Sequence, residues 1–164
     1  MRYLDQYRAL HAAGKFPGVS IMPFVGDIAE LVGEYQSVTL LDYGCGKGLQ
    51  YSRDKIYKAW GNHAPTLYDP GVPALAAKPT GQFDGVISTD MLEHVPIDEL
   101  DAVVTEIASY AKQWVFLSVC CRPAKSLRFP DGQNIHVTIR PIEWWNGYLE
   151  PYFPDVRLVL RETK

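Results

Sequence analysis

The segment Asp42-Tyr43-Gly44-Cys45-Gly46-Lys47-Gly48 constrains this chain more than any other feature. Glycines at alternate positions let a backbone turn sharply and leave room for a ligand against the main chain. An apolar run, Val38 to Leu41, precedes the segment, with Asp42 at its end, and a helix is expected to follow. A strand, a glycine turn and a helix in that order aim the first free amides of the helix at an anionic or polar group. Two phosphate-binding patterns are excluded. The dinucleotide fingerprint needs glycine at position 49, which is Leu49, and the spacing of a phosphate loop is absent.

The rest of the chain repeats the same alternation. Apolar runs suited to buried strands recur at Pro65 to Tyr68, Gly85 to Ser88, Trp114 to Val119 and Val156 to Leu160. Helical spacing joins Tyr3, Leu4, Tyr7, Leu10 and His11, then Phe24, Val25, Ile28, Leu31 and Val32 up to a stop at Gly33, then Ile97, Leu100, Val103, Val104, Ile107 and Tyr110. A further helix is predicted over Pro141 to Leu149. Strands alternating with helices predict an α/β fold with a mainly parallel sheet. With 164 residues the chain fits one domain, N-terminal helices over 1–36 and a Rossmann-like core over 37–164.

Composition narrows the function. Sixteen Lys and Arg against 19 Asp and Glu, a formal charge of −3, argue against a protein that holds long nucleic acid by charge alone. A small or local anionic substrate fits that balance. No apolar run reaches the length of a bilayer span, and MRYLDQYRAL has no apolar stretch to serve as a signal, so a cytoplasmic protein with no membrane contact is predicted. Cys45, Cys120 and Cys121 are odd in number and two are adjacent, which predicts reduced thiols. Cys45 has no histidine near it in sequence and is assigned no chemistry.

An acid followed by G-x-G-x-G after the first strand resembles the class I S-adenosylmethionine-dependent methyltransferases. Two later segments carry the same resemblance: Thr66-Leu67-Tyr68-Asp69, a second strand ending in an acid, and the run from Phe83 to Val95, F-D-G-V leading into L-E-H-V. The resemblance implies S-adenosylmethionine as cofactor, with Asp42, Gly44, Cys45, Gly46 and Gly48 at its methionine end. It puts Asp69 on the ribose, and Asp90 and Met91 near the transferred methyl. The stretch from Pro70 to Gln82 is too short for the family's next helix and third strand, and one strand alone follows Leu149. A shortened fold is therefore expected, with third strand and final hairpin reduced and a homodimer able to cover the edges.

Asp90, Glu93 and His94 stand at i, i+3 and i+4, one side of a helical turn, and His136 follows the fifth strand of the family pattern. The set resembles the ligands of metal-using small-RNA ribose 2′-O-methyltransferases and ubiquinone-pathway O-methyltransferases. That resemblance implies a divalent ion, Mg²⁺ or Mn²⁺, on Asp90, Glu93, His94 and His136. The residues by themselves allow a second reading, with Glu93 a cap or salt bridge and His94 a rim residue; without a metal, His94 or His136 is the candidate catalytic general base.

Arg122, Lys125, Arg128 and Arg140 surround the loop that would admit the acceptor; they read either as a site for a phosphate or carboxylate or as a solvated basic loop. Of Trp144 and Trp145, one is expected in the core and the other beside the acceptor. Gly14 to Ser20 reads as a lid over the cofactor or as a connector. The functional expectation is methyl transfer; its rivals are a catalytically silent cofactor-binding subunit that supports a partner, and an unrelated α/β binding module.

Overall fold

A strand buried on both faces must be apolar at odd and even positions alike. That condition holds in the computed structural model, which describes residues 2–61 and 63–163. In β1 (Leu40–Tyr43), β3 (Phe83–Thr89) and β4 (Ala111–Val119), Leu40, Ile87, Trp114 and Phe116 face one apolar layer. There they meet Ile28, Leu31 and Val32 of α2 (Val25–Tyr35). Their neighbours Leu41, Val86, Val115 and Leu117 face the other layer, against Val104 and Ile107 of α4 (Leu100–Tyr110) and Trp145 and Leu149 of α5 (Ile142–Leu149). With β2 (Thr66–Tyr68) and β5 (Arg157–Glu162) the sheet has the order β2-β1-β3-β4-β5, and every pairing is parallel. The first helix, α1 (Leu4–Ala12), lies outside both layers, its Tyr7 in a third, small cluster with Phe129 and Ile135.

The α/β class is as expected, and the departures have local causes. Strand β1 begins at Leu40: Val38 is 61% exposed, and the amides of Val38 and Thr39 are held by Asp84 Oδ2 at 2.9 and 2.8 Å. Gly33 does not stop α2, which runs to Tyr35 and ends where Gln36 turns left-handed at φ 50°. Ile97 is 48% exposed, because α4 starts only at Leu100. The helix after the glycine loop, α3 (Leu49–Ser52), is a single turn. Among the described residues no strand lies between β2 and β3, where Pro73–Leu75 form a 3-10 turn. Among the described residues β5 pairs parallel with β4 and no hairpin is formed, so the sheet is wholly rather than mainly parallel. No helix is long and apolar enough to cross a membrane among the described residues.

Strands β3 and β4 approach closely at one place. Gly85 pairs with Trp114, and a Cβ on Gly85 would overlap three ring carbons of that indole. The ring is fully buried and donates from Nε1 to Ser37 Oγ at 2.9 Å, so it cannot withdraw without losing that bond. Gly85→Ala is expected to cost about 1–3 kcal/mol, the scale of overpacking a core, seen as a lower urea midpoint at unchanged slope.

Candidate active site

Parallel strands release their carboxyl ends on one rim, where open α/β sheets hold ligands. Here β1 leads into the glycine loop, β2 into Asp69, β3 into Asp90 and β4 into Cys120. A cavity of about 260 Å³ opens there, its floor made by Gly44, Cys45, Gly46, Asp69 and Met91 and its roof by Tyr7, His11 and Phe16. Beside it lies a cleft of about 450 Å³ lined by Cys120, Arg122, Lys125 and His136. The two spaces share Phe16, Ser20, Asp90, His94 and Leu127.

The segment from Gly14 to Ser20 is a strap bonded to the glycine loop. The amides of Lys47, Leu49 and Gln50 donate to the carbonyls of Phe16, Pro17 and Gly18 at 3.4, 3.2 and 3.3 Å. The amides expected to face an anion are thus taken by the strap. Glycine is required on both sides of this seam: a Cβ on Gly18 would come 2.7 Å from Gly48 N, and one on Gly46 would come 2.9 Å from Phe16 O. Phe16 itself adopts φ 52°, unusual for a bulky residue, and its ring leans on those of His11 and His94 at 5.1 and 5.6 Å.

The three acids on the rim differ in placement. Asp42 lies beneath the loop rather than on the cavity wall; its Oδ2 accepts from Tyr51 at 2.9 Å and Gln50 at 3.3 Å, while Oδ1 is buried without a partner. Gly48 also stays off the wall and packs on Leu67. Asp69 lines the cavity, its Oδ2 taking the Gly46 amide and its Oδ1 the Gly71 amide, both at 2.8 Å. Asp90 sits at φ 50° between the two spaces, with Oδ1 accepting from Ser118 Oγ at 3.2 Å and from Thr163 Oγ1.

Asp90 therefore does not join the expected metal ligands. Leu92–His94 form a 3-10 turn that leaves Asp90 outside, and its carboxylate is anchored by Ser118 and Thr163. Glu93, His94 and His136 do converge, each offering a ligand atom within 4.8 Å of the others. His136 arrives because the amides of Val137 and Thr138 both donate to Glu93 O, at 2.8 and 3.0 Å. Asn134 shapes the loop before it, accepting from the amides of Ala124 and His136 at 3.0 and 2.9 Å.

The chemistry of this donor set suits a divalent ion. Glu93 is fully buried; its Oε1 takes the Cys120 amide at 3.0 Å and its Oε2 has no partner. Burial, and then the charge of Asp90, push its carboxyl well above the usual range, a cost that a cation would offset. His94 Nδ1 lies 3.1 Å from Ile135 O and His136 Nδ1 2.6 Å from Arg122 O, so each Nδ1–H donates to a carbonyl and leaves Nε2 as the lone-pair atom, as in metal-bound imidazoles. Burial first, and His136 second, push His94 down to about 3. The ring is therefore neutral at physiological pH.

Other expected residues divide similarly. Arg122 and Lys125 line the cleft, whereas Arg128 is spent on the carbonyls of Ala124 and Leu127 and Arg140 lies over the ring of Trp144. Trp145 is core; Trp144 stacks on Tyr148 at 4.8 Å and does not reach the cleft. Burial pushes the Cys45 thiol up, in keeping with no chemistry. The sequence reading missed Tyr7, His11, Asn134 and Thr163. Tyr7 and His11, four apart on α1, shared an apolar face that looked like core; Tyr7 donates toward Ile135 O at 2.8 Å and His94 O at 3.0 Å.

Burial is also the main cause that holds the Asp42 carboxyl up to about 7, Asp69 adding to it while Tyr51 and Gln50 oppose. The folded chain keeps a proton there that the unfolded chain releases near pH 4, so this contribution to stability is lost as pH rises toward 7. Asp42→Asn removes the titration. Relative to the parent it is expected to gain stability between about pH 4 and about pH 7, by up to about 4 kcal/mol, and to hold that difference above, in urea midpoints taken across pH.

Comparison with known proteins agrees with this geometry. A family model described as a methyltransferase domain matches residues 11–155. A ubiquinone biosynthesis O-methyltransferase of Bordetella parapertussis is 34% identical over 147 residues, 76% of this chain and 57% of that protein. One from Bordetella avium is 34% identical over 155 residues, 77% of this chain and 64% of its own length. The chain thus spans less than two thirds of the curated relatives it matches. An acid and glycine loop on the rim of a parallel sheet, a second acid ending the neighbouring strand and a family match over most of the length agree: the chain belongs to the class I S-adenosylmethionine-dependent methyltransferase family.

Proposed function

We propose that this protein transfers a methyl group from S-adenosylmethionine to a hydroxyl of a small-molecule or nucleotide acceptor. One observation carries the reading: the 260 Å³ cavity over the glycine loop and Asp69 adjoins the 450 Å³ cleft of His136, and Asp90 and His94 belong to both. A methyl donor in the first and a nucleophile in the second would meet at that boundary. The names of the relatives, O-methyltransferases, favour oxygen as the acceptor atom. Arg122 and Lys125 on the cleft favour an acceptor that carries a negative group.

Displacement at a methyl carbon depends chiefly on bringing the partners into line. Transfer breaks the sulfonium S–CH₃ bond and forms an O–CH₃ bond; the electron pair remains on sulfur, giving S-adenosylhomocysteine, and the acceptor proton passes to solvent. Asp69 would hold the ribose, and Gly44 and Met91 the region of the sulfur. The strap and α1 exclude water from above. Glu93, His94 and His136 would hold a divalent ion, which supplies Lewis acidity to the acceptor hydroxyl. Asp90, fixed by Ser118 and Thr163, would keep the two ligands in register.

Titration calorimetry with S-adenosylhomocysteine tests the cofactor half. The parent should bind, and Asp69→Ala should bind more weakly by about 1–3 kcal/mol, the scale of hydrogen bonds to a charged group; equal affinities would remove Asp69 from the site. Titration with Mn²⁺ tests the other half. His136→Ala and Glu93→Gln should each lose at least about 10-fold in Mn²⁺ affinity while keeping S-adenosylhomocysteine, since the two ligands use different walls.

A further inference from the structure

Helix α1 places His11 over Asp69, with His11 Nε2 3.7 Å from Asp69 Oδ1. Both side chains are about nine-tenths buried, and both residues line the cavity beside Pro70 and Gly71. Such a distance is too long for a hydrogen bond between them. It suits a third atom: an oxygen about 2.8 Å from each completes a triangle on a 3.7 Å base. That atom must accept from an imidazole N–H on one side and donate to a carboxylate on the other, as water or a ligand hydroxyl does.

The state of the imidazole is set by its surroundings. Nδ1 is buried and has no partner, so a proton there would be an unsatisfied donor, whereas a proton on Nε2 points at the carboxylate. Burial is the largest influence on the ring and favours the neutral form. A neutral ring with Nε2–H as donor results. Asp69 cannot swing toward it or away, because the Gly46 and Gly71 amides hold one oxygen each. The ring is held as well, by Phe16 at 5.1 Å and by the backbone of Gly71, where an added Cβ would stand 2.8 Å from His11 Cδ2. The two polar groups are fixed at a separation that neither can close.

We infer that His11 and Asp69 together form a site for one ribose hydroxyl of the cofactor, with His11 Nε2–H donating to the hydroxyl oxygen and the hydroxyl donating to Asp69 Oδ1. The inference rests on the cofactor reading above, and extends it by making the N-terminal helix part of nucleoside recognition. A donor and an acceptor facing one hydroxyl disfavour a deoxy sugar, which would leave the buried His11 Nε2–H unpaired and Asp69 Oδ1 with the Gly71 amide alone.

Calorimetry with S-adenosylhomocysteine and its 2′-deoxy and 3′-deoxy analogues tests this. The parent should bind one of the two deoxy analogues at least about 10-fold more weakly than S-adenosylhomocysteine. His11→Phe should lose about 10-fold for S-adenosylhomocysteine yet change by less than about 2-fold for that same deoxy analogue, because the contact is already missing. His11→Gln, which can place an amide N–H near the Nε2 position, should restore most of the affinity; thermal melts of both variants check that they fold. Equal losses for all three ligands in His11→Phe, or no loss at all, would overturn the inference. Failure of the parent to bind S-adenosylhomocysteine would overturn the cofactor reading instead.

Discussion

Because β1 to β4 run parallel, their carboxyl ends leave the sheet on one side, and the residues that follow them share a rim. Gly44, Asp69, Asp90 and Cys120 meet there although the chain separates them widely. Both faces of the sheet are sealed by apolar layers, so the backbone has few places to present unpaired polar groups other than this rim. The cavity, the cleft and the ligand cluster all lie where that constraint leaves room. Neither the lack of a strand between β2 and β3 among the described residues nor the parallel β5 moves it, since β1 and β3 at the centre keep their register.

A second constraint acts from above. The strap saturates the amides of Lys47, Leu49 and Gln50 with its own carbonyls, which fixes the roof to the floor by main-chain bonds rather than by side-chain packing. Gly18 and Gly46 permit that contact by having no Cβ. The strap in turn carries Phe16 against His11 and His94, linking the Asp69 side of the cavity to the side that adjoins the cleft. The rim is thus enclosed by a segment that belongs to neither apolar layer.

Buried carboxylates are the energetic cost of this arrangement. Asp42 and Glu93 each keep one oxygen with no partner, and burial raises both carboxyls. For Asp42, beneath the loop, the consequence is a pH-dependent stability. Glu93 instead lies beside two imidazoles whose Nδ1 atoms face carbonyls, a donor set of the kind that suits a cation. The two carboxyls differ in their neighbours: a phenol and an amide in one case, histidines in the other.

Periodicity and spacing in the sequence were enough to determine the α/β class, the strands near their observed places, the loop from Asp42 to Gly48, and Asp69 as the acid of the next strand. Those features are local: short apolar runs, helical spacing and glycine content act within a few neighbours. The limits of β1 and α4 were not legible, because Asp84 caps the approach to β1 and the chain around Ile97 turns before the helix begins. The cluster of Glu93, His94 and His136 was legible only in part. Glu93 and His94 are neighbours, and His136 was named from the family pattern, but the exclusion of Asp90 depends on Ser118 and Thr163, one of them at the far end of the chain. His11 looked like part of an apolar helix face until α1 was seen to lie over Asp69. Contacts between residues distant in sequence arise from how layers pack, and no local pattern encodes them; the tertiary structure alone decided which polar groups share the rim.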